Sequence, residues 1–340
     1  MKKLELYGTL GPADCEKSIL REMFQAGMTG IRLNLSHSNL ADCEAWLHNL
    51  FEVSDEMRIA PDLLVDLQGP ELRIGLLSGP MVLTKGQTIH LTSTHFEDER
   101  AIPVPPQVLP YLETGQTLRL DDGKILLKVL DTKKNISAEV LTDGILFSRK
   151  SLSIDGVSVD LPTLTPQDEI NLQMFRRYRV TGVMLPFVRN KEDLLHLREA
   201  LLRENLADIR IFAKIENQKG IEHLHSLFPY CDHIVIARGD LGNAVPLPEL
   251  PATQKRIARM CLLAKKPFMV VTQLLNSMEQ KPVPTRAEVS DIFNAVLDGA
   301  SSLMLTGETA LGKYPAKAMQ VLSDTSFEAL RYKIKEQFML

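Results

Sequence analysis

Short apolar runs alternate with amphipathic helical stretches along most of this chain, as parallel strands joined by crossover helices require. The first run, Leu4 to Tyr7, precedes a stretch with Ile19, Leu20, Met23 and Phe24 on one helical face. The second, Ile31 to Leu35, precedes one carrying Trp46, Leu47, Leu50 and Phe51, and Leu63 to Leu67 makes a third run. After an interruption the rhythm resumes with Val180 to Leu185, Ile209 to Ala213, His233 to Ala237, Pro267 to Val271 and Ser302 to Leu305. Eight strands, each followed by a helix, predict an α/β chain folded as a closed (β/α)₈ TIM barrel, which has no unpaired sheet edge to protect.

The interruption has its own texture. From about Glu71 to Leu161, short extended stretches such as Met81-Val82-Leu83 and Ile125-Leu126-Leu127 lie between turn signals at Ser78-Gly79-Pro80, Lys85-Gly86, Thr114-Gly115, Asp122-Gly123 and Asp143-Gly144. That pattern reads as strands joined by hairpins. The expected organisation is therefore a barrel over residues 1–70 and 162–340, with a small all-β domain, 71–161, inserted after the third strand. Thr165-Pro166 opens the next helix with Thr as N-cap and Pro at the first helical position. Thr285-Arg286-Ala287-Glu288 has the form of a capping box, and Gly299 closes that helix.

Composition narrows the function classes. The chain is 44% hydrophobic and 24% charged with a net charge of −4, so it has the material for a packed core and lacks the basic field of a nucleic-acid binder. The N-terminal apolar stretch is broken at Gly8 and Gly11-Pro12, no segment approaches a membrane span, and Cys15, Cys43, Cys231 and Cys261 are scattered. These features are expected of a cytoplasmic enzyme with reduced, packing thiols.

Barrel enzymes carry their chemistry at the C-terminal ends of the strands. Here those ends read Arg32-Leu33-Asn34-Leu35-Ser36-His37, Asp66, Lys214-Ile215-Glu216, Ala237-Arg238-Gly239-Asp240, Thr272-Gln273 and Thr306-Gly307-Glu308. Residues two apart in extended chain face the same side, so Lys214 and Glu216 are expected to converge. An exposed ion pair would be the plain alternative. Opposite Asp240, however, Glu216 forms a carboxylate pair suited to Mg²⁺ or Mn²⁺, hard ions that leave room for substrate oxygens. Gly307 to Lys313 nearly matches a phosphate loop, but Tyr314 stands where Ser or Thr would hold magnesium. His223 and His225, two apart on a helix, face different ways, and Arg176-Arg177 reads as a solvated face.

The ordered motifs resemble the pyruvate kinase family from the first residues to about Tyr332: Gly11-Pro12-Ala13, Arg32 to His37, Gly69-Pro70-Glu71-Leu72-Arg73, Lys214-Ile215-Glu216-Asn217, Ala237-Arg238-Gly239-Asp240-Leu241-Gly242, Thr272-Gln273, Pro284 to Glu288, Asn294 to Gly299 and Gly307-Glu308-Thr309-Ala310. The resemblance implies phosphoryl transfer from phosphoenolpyruvate to ADP, giving pyruvate and ATP in glycolysis. It implies that Glu216 and Asp240 ligate the divalent metal and that Lys214 stabilises the phosphoryl group in flight. The backbone of Arg238, Gly239 and Asp240 would hold the substrate carboxylate, and Thr272 would lie near the protonated carbon. Arg32 and Arg73 would bind phosphates, while Asn34, Ser36, Asp66 and the Leu67 carbonyl resemble the K⁺ ligands. Asn34, His37, Arg73, Arg149 and Lys150 match nucleotide-side positions, and the insertion matches the family's mobile lid.

Departures from the family pattern fall at Ser151 to Asp155, Leu67-Gln68, Pro186, Ala244 and Leu311. Potassium-independent members tend to carry Lys where this chain has Glu71, so Glu71 points to K⁺ dependence. The resemblance also implies a C-terminal α/β domain, which this stretch of sequence, stopping at Leu340, lacks. A short form would be without that regulation or would draw it from another chain. It could also assemble as a homo-oligomer. A lyase on a related barrel, or a non-catalytic metabolite-binding paralogue, is the rival reading. A lyase would need neither the lid nor the Arg32/Arg73 pair, and the intact Lys214, Glu216 and Asp240 weigh against a non-catalytic paralogue.

Overall fold

Alternation along each strand sorts the side chains into an inner and an outer core. The structure is a computed structural model, and it describes residues 4–36, 38–93, 101–121, 123–133, 136–157 and 159–339. Strands β1 (Glu5–Leu10), β2 (Gly30–Asn34) and β3 (Asp62–Asp66) are separated by helices α1 (Lys17–Gln25) and α2 (Glu44–Met57). The inserted segment then contributes β4 (Met81–Leu83), β5 (Thr88–Thr92), β6 (Ala101–Pro103), β7 (Thr117–Leu120), β8 (Ile125–Asp131), β9 (Ile136–Val140), β10 (Gly144–Leu146) and β11 (Leu152–Ile154).

Beyond it come α3 (Pro166–Gln173), β12 (Gly182–Leu185), α4 (Lys191–Arg203), β13 (Arg210–Ile215), α5 (Gln218–Glu222) and α6 (Leu224–Leu227). The chain continues through β14 (His233–Ala237), α7 (Arg238–Ala244), α8 (Leu250–Leu263), β15 (Phe268–Val271), α9 (Arg286–Leu297), β16 (Ser302–Met304), α10 (Gly307–Ala310) and α11 (Pro315–Met339). Strands β1, β2, β3 and β12 to β16 close into a parallel barrel in the order β1-β16-β15-β14-β13-β12-β3-β2. Among the described residues, no helix is long and apolar enough to cross a membrane.

The chain divides into two compact units, Met1–Gly69 with Thr163–Leu340, and Pro70–Pro162. The second has a six-stranded sheet, β11-β7-β8-β9-β5-β6, and a two-stranded one, β10-β4. Its core of Ile89, Ile102, Leu118, Leu127, Val129 and Val140 is sealed from solvent. Its named strand pairs run antiparallel except β5 with β6, which are parallel, so a hairpin cannot join those two.

Three strand boundaries differ from the sequence reading by two residues or more, and the first is β1, which runs on to Leu10 where the apolar run was read to end at Tyr7. β12 starts at Gly182, because the Val180 amide closes the preceding helical turn on the Phe175 carbonyl. β13 runs on to Ile215, because Lys214 and Ile215 keep their register with Val235 and Ile236 although Lys214 ends the apolar run. Cys43, Cys231 and Cys261 are buried free thiols, whereas Cys15 is only partly buried.

Both expected N-caps are present, and each carries a full capping box: Thr165 with Asp168, and Thr285 with Glu288. Asp168 does more than cap. Its buried carboxylate accepts from the amides of Gln68 (2.9 Å), Gly69 (3.1 Å) and Thr165 (2.9 Å) and from the Thr165 hydroxyl (2.8 Å). One side chain thus ties the chain leaving β3 to the chain that opens α3. Asp168→Ala would leave a buried amide at Gly69 and three partly buried donors without their acceptor, and unfolding should become easier by about 3 kcal/mol. Urea unfolding followed by circular dichroism measures this, and a loss near zero would show that the carboxylate is dispensable.

Candidate active site

Inward-facing positions fill the barrel with Tyr7, Leu64, Met184, Phe212, Val235 and Met269, among others. Gly30 is the inward residue of β2 at that level, and a Cβ there would lie 2.4 Å from the Tyr7 ring, so only glycine lets the ring in. At the N-terminal end, the Tyr7 hydroxyl sits 2.9 Å from Asp62 and 3.0 Å from Glu5, while Arg210 pairs with Asp62 at 2.5 Å. Burial, then those carboxylates, pushes the Tyr7 hydroxyl well above the usual tyrosine range. Two residues further along the strands toward the other end, the inward positions become Thr9, Arg32, Asp66 and Lys214. The interior turns from apolar to charged within one pleat.

Asp66 is the centre of that layer and only 1% exposed. Arg32 donates to it through Nε at 3.0 Å and Nη2 at 2.5 Å, and Lys214 Nζ lies 3.2 Å from the same carboxylate. Lys214 also reaches Glu216 Oε1 at 2.9 Å, and Glu216 Oε2 accepts from the Phe187 amide at 2.8 Å. The convergence of Lys214 and Glu216 is therefore real, and it is buried rather than the exposed pair that was the plain alternative. Burial opposes the charge on Asp66, but Lys214 and Arg32 outweigh it and hold its carboxyl below the usual range. Burial likewise opposes the Lys214 ammonium, and Asp66 followed by Glu216 more than restores it, leaving its pKa above the ordinary lysine value. For Glu216, burial joins with the negative charges of Asp240 and Asp66 against Lys214, and its carboxyl is pushed up to about 7.

Asn34 and Asp66 are register partners on β2 and β3. Asn34 Oδ1 accepts from the Ser36 amide at 3.2 Å and its hydroxyl at 3.0 Å. The Leu67 amide is spent on the Met184 carbonyl at 3.2 Å. On the far side of the rim, α7 starts directly from the end of β14 with Arg238, Gly239 and the exposed Asp240. Thr272 and Gln273, just past β15, both take positive φ, 79° and 57°. For a β-branched residue this backbone costs on the order of 1–3 kcal/mol and persists only where neighbours enforce it. The enforcing neighbour is Arg238, whose Nε and Nη2 donate to the Thr272 carbonyl at 3.1 and 2.7 Å. Its Nη1 is held by Asp291, at 2.7 Å to Oδ2. Sequence reading passed over Asp291 and the Phe187 amide. The first lies between Ser290 and Ile292 on α9 with no motif to mark it, and backbone donors carry no residue-type signal.

Glu308 is buried and folded back, accepting from the amides of Leu275 and Thr306. The near-miss phosphate loop is a short helix, α10, with Gly312 tucked against the Glu308 carbonyl. His223 caps α5 and faces the Arg189 carbonyl, while His225 packs on Phe228, so the two histidines do not converge. Arg176 and Arg177 make exposed pairs with Asp208 and Glu44, past the end of α3.

Within the second unit, Arg73, Arg149 and Lys150 are neighbours, because Arg73 bridges to Ser151 and donates to the Arg149 carbonyl at 2.8 Å. Arg73 also pairs with Glu71 at 2.5 Å, and Lys150 with Asp121 at 2.8 Å. Burial works against the Asp121 charge, but Lys150 and Lys124 hold its carboxyl below the usual range. His37 lies outside the described residues.

The rim sets three carboxylates, Asp66, Glu216 and Asp240, against two cations, Arg32 and Lys214, and Glu216 is raised first by its burial and then by the neighbouring charges of Asp240 and Asp66. A hard divalent ion fits such a set. Each Glu216 oxygen has one partner and keeps a lone pair. Among the described residues no group of three or more His, Cys, Asp or Glu side chains could hold a metal, so such an ion would depend on outside oxygens to complete its shell.

A family model described as pyruvate kinase, barrel domain, matches residues 1–319. The chain is similar to pyruvate kinases of Bacillus licheniformis (35% identical over 98% of this chain and 58% of the relative), Thermococcus litoralis (35%, over 94% and 68%) and Agrobacterium vitis (35%, over 95% and 67%). It spans between 56% and 58% of the length of its Bacillus, Staphylococcus and Sporosarcina relatives.

The raised Glu216 carboxyl has a stability signature in metal-free protein. Its folded pKa of about 7 exceeds the usual 4.5, so the folded state holds the extra proton between those values. The stabilisation from that proton is complete below the lower pH and gone above the higher one. Relative to wild type, Glu216→Gln should therefore gain up to about 3 kcal/mol as pH rises from 4.5 past 7. Paired denaturation curves with chelator at pH 5 and pH 8 check this, and a gap that does not change with pH would contradict it.

Proposed function

The chain belongs to the pyruvate kinase family, and from that premise we propose that it moves the phosphoryl group of phosphoenolpyruvate to ADP, giving pyruvate and ATP as a glycolytic enzyme of the cytoplasm. The observation that carries the reading is the buried Arg32–Asp66–Lys214–Glu216 cluster at the strand ends. Charge taken this far out of water contributes little to stability, so a chemical use is the better account of it.

In the proposed reaction an ADP oxygen bonds to phosphorus as the enol C–O oxygen leaves, and the enolate then takes a proton on carbon. Lys214 stands against the phosphoryl group, where a fixed ammonium stabilises charge spreading over the equatorial oxygens. Glu216 and Asp240 hold Mg²⁺ or Mn²⁺, which when bound neutralises further phosphoryl charge. The peptide groups of Arg238, Gly239 and Asp240 hold the substrate carboxylate, and Thr272 lies beside the carbon that is protonated. Arg32 binds phosphate through Nη1, whose protein contact is a long one, 3.5 Å to Thr9. Arg73, Arg149 and Lys150 serve the nucleotide phosphates from the insertion, which works as a lid that excludes water, and Asn34 and His37 lie on the nucleotide side.

A coupled assay for pyruvate formed from phosphoenolpyruvate and ADP tests the whole reading. Lys214→Met and Glu216→Gln should each lower turnover on the order of 10²–10³ while the fold survives, and the second should also raise the Mg²⁺ requirement. No ADP-dependent pyruvate from the wild type, or near-normal turnover in either variant at saturating metal, removes the assignment.

Asn34, Ser36, Asp66 and the Leu67 carbonyl would hold K⁺. Asn34 Oδ1 and Ser36 Oγ already converge at 3.0 Å, and an all-oxygen set suits a hard cation. Turnover should fall when K⁺ is replaced by a bulky organic cation at equal ionic strength. Equal rates in the two salts would show that this chain needs no monovalent ion.

A further inference from the structure

The strained turn at Thr272 is held from a distance. Arg238 grips the Thr272 carbonyl through two nitrogens, and its third nitrogen is anchored by Asp291 on α9, with Gln254 of α8 at 3.5 Å. The Arg238 side chain is 10% exposed and that of Asp291 35%, so the anchor reaches from a half-buried helix face into the closed rim. Arg238 follows directly on β14 and Thr272 on β15, neighbouring barrel strands. The Thr272 methyl packs on Gly239, where an added Cβ would meet it at 3.2 Å. Side chain and carbonyl of Thr272 are thus both referenced to the Arg238-Gly239 step.

Without the anchor, the guanidinium keeps only its own bonds to the Thr272 carbonyl and the long Gln254 contact, and a β-branched residue so loosely held relaxes from positive φ. Relaxation about φ swings the hydroxyl and the carbonyl together. We infer that Asp291 is a positioning residue, which fixes the Thr272 hydroxyl for proton delivery by locking Arg238 onto the Thr272 carbonyl. It touches neither substrate nor metal. The inference rests on the proposed role of Thr272 beside the protonated carbon.

A double-mutant cycle on the full chain tests it. Asp291→Ala should lower kcat by about 10- to 100-fold, as small misplacements of a reacting group do, with KM for phosphoenolpyruvate moved less than about threefold. Asp291→Glu should recover much of the loss. Asp291→Asn, which keeps the size and an acceptor, should fall between, and it decides the matter if the alanine variant does not fold. In a Thr272→Ala background, Asp291→Ala should change kcat by less than about twofold, because a residue acting through Thr272 has nothing left to position. Full multiplicative losses across the cycle, or a loss that tracks thermal stability and is not recovered by Glu, overturn the inference while leaving the role of Thr272 standing. A Thr272→Ala variant as active as wild type removes that role first, and this inference with it.

Discussion

A carboxylate almost wholly cut off from water cannot stand alone, and Asp66 organises the rim by that necessity. Its charge is tolerable only because Arg32 from β2 and Lys214 from β13 are both committed to it. Each cation is in turn restrained, so three strands agree on the position of one side chain. Lys214 is shared with Glu216, and Glu216 is drawn to the Phe187 amide after β12. A fourth strand end is thereby recruited. Removing Arg32, Asp66 or Lys214 leaves an uncompensated buried charge, which makes the cluster a unit rather than a collection of pairs.

Strain at Thr272 follows a different logic from charge at Asp66. There the surroundings impose a backbone conformation that the residue disfavours, through an arginine that spends two of its donors on a single carbonyl. A rim with one half locked by ion pairs and the other by an enforced turn has little freedom to adapt to its contents. Such preorganisation is what electrostatic catalysis needs, since nothing has to reorient as charge develops.

The barrel was legible because strand periodicity and helix capping are local: Thr165, Thr285 and the eight apolar runs each speak within a few residues. The meeting of Lys214 with Glu216 was legible for the same reason, being a spacing of two in extended chain. Contacts between distant segments left no such trace. Asp168 reads as an ordinary first-turn acid, yet half its hydrogen bonds go to Gln68 and Gly69. Asp291 follows Ser290 in the middle of α9 with nothing to mark its bond to Arg238. The end of β13 was misplaced because a charged residue was taken to end the strand, where it continues the ladder inside the barrel. The parallel β5–β6 pair was hidden because turn residues announce reversals and not crossovers.

Asp168 fixes the mouth of a loop. The chain segments on either side of the insertion share one carboxylate, so whatever lies between them starts and finishes at almost the same point. Closing such a loop costs only slowly more as it lengthens, about 0.6 kcal/mol per doubling. The folding of the host therefore places almost no limit on the size of what is spliced there. A junction of this kind is a place where lineages can lengthen, shorten or exchange a module while the eight-stranded host keeps folding as before.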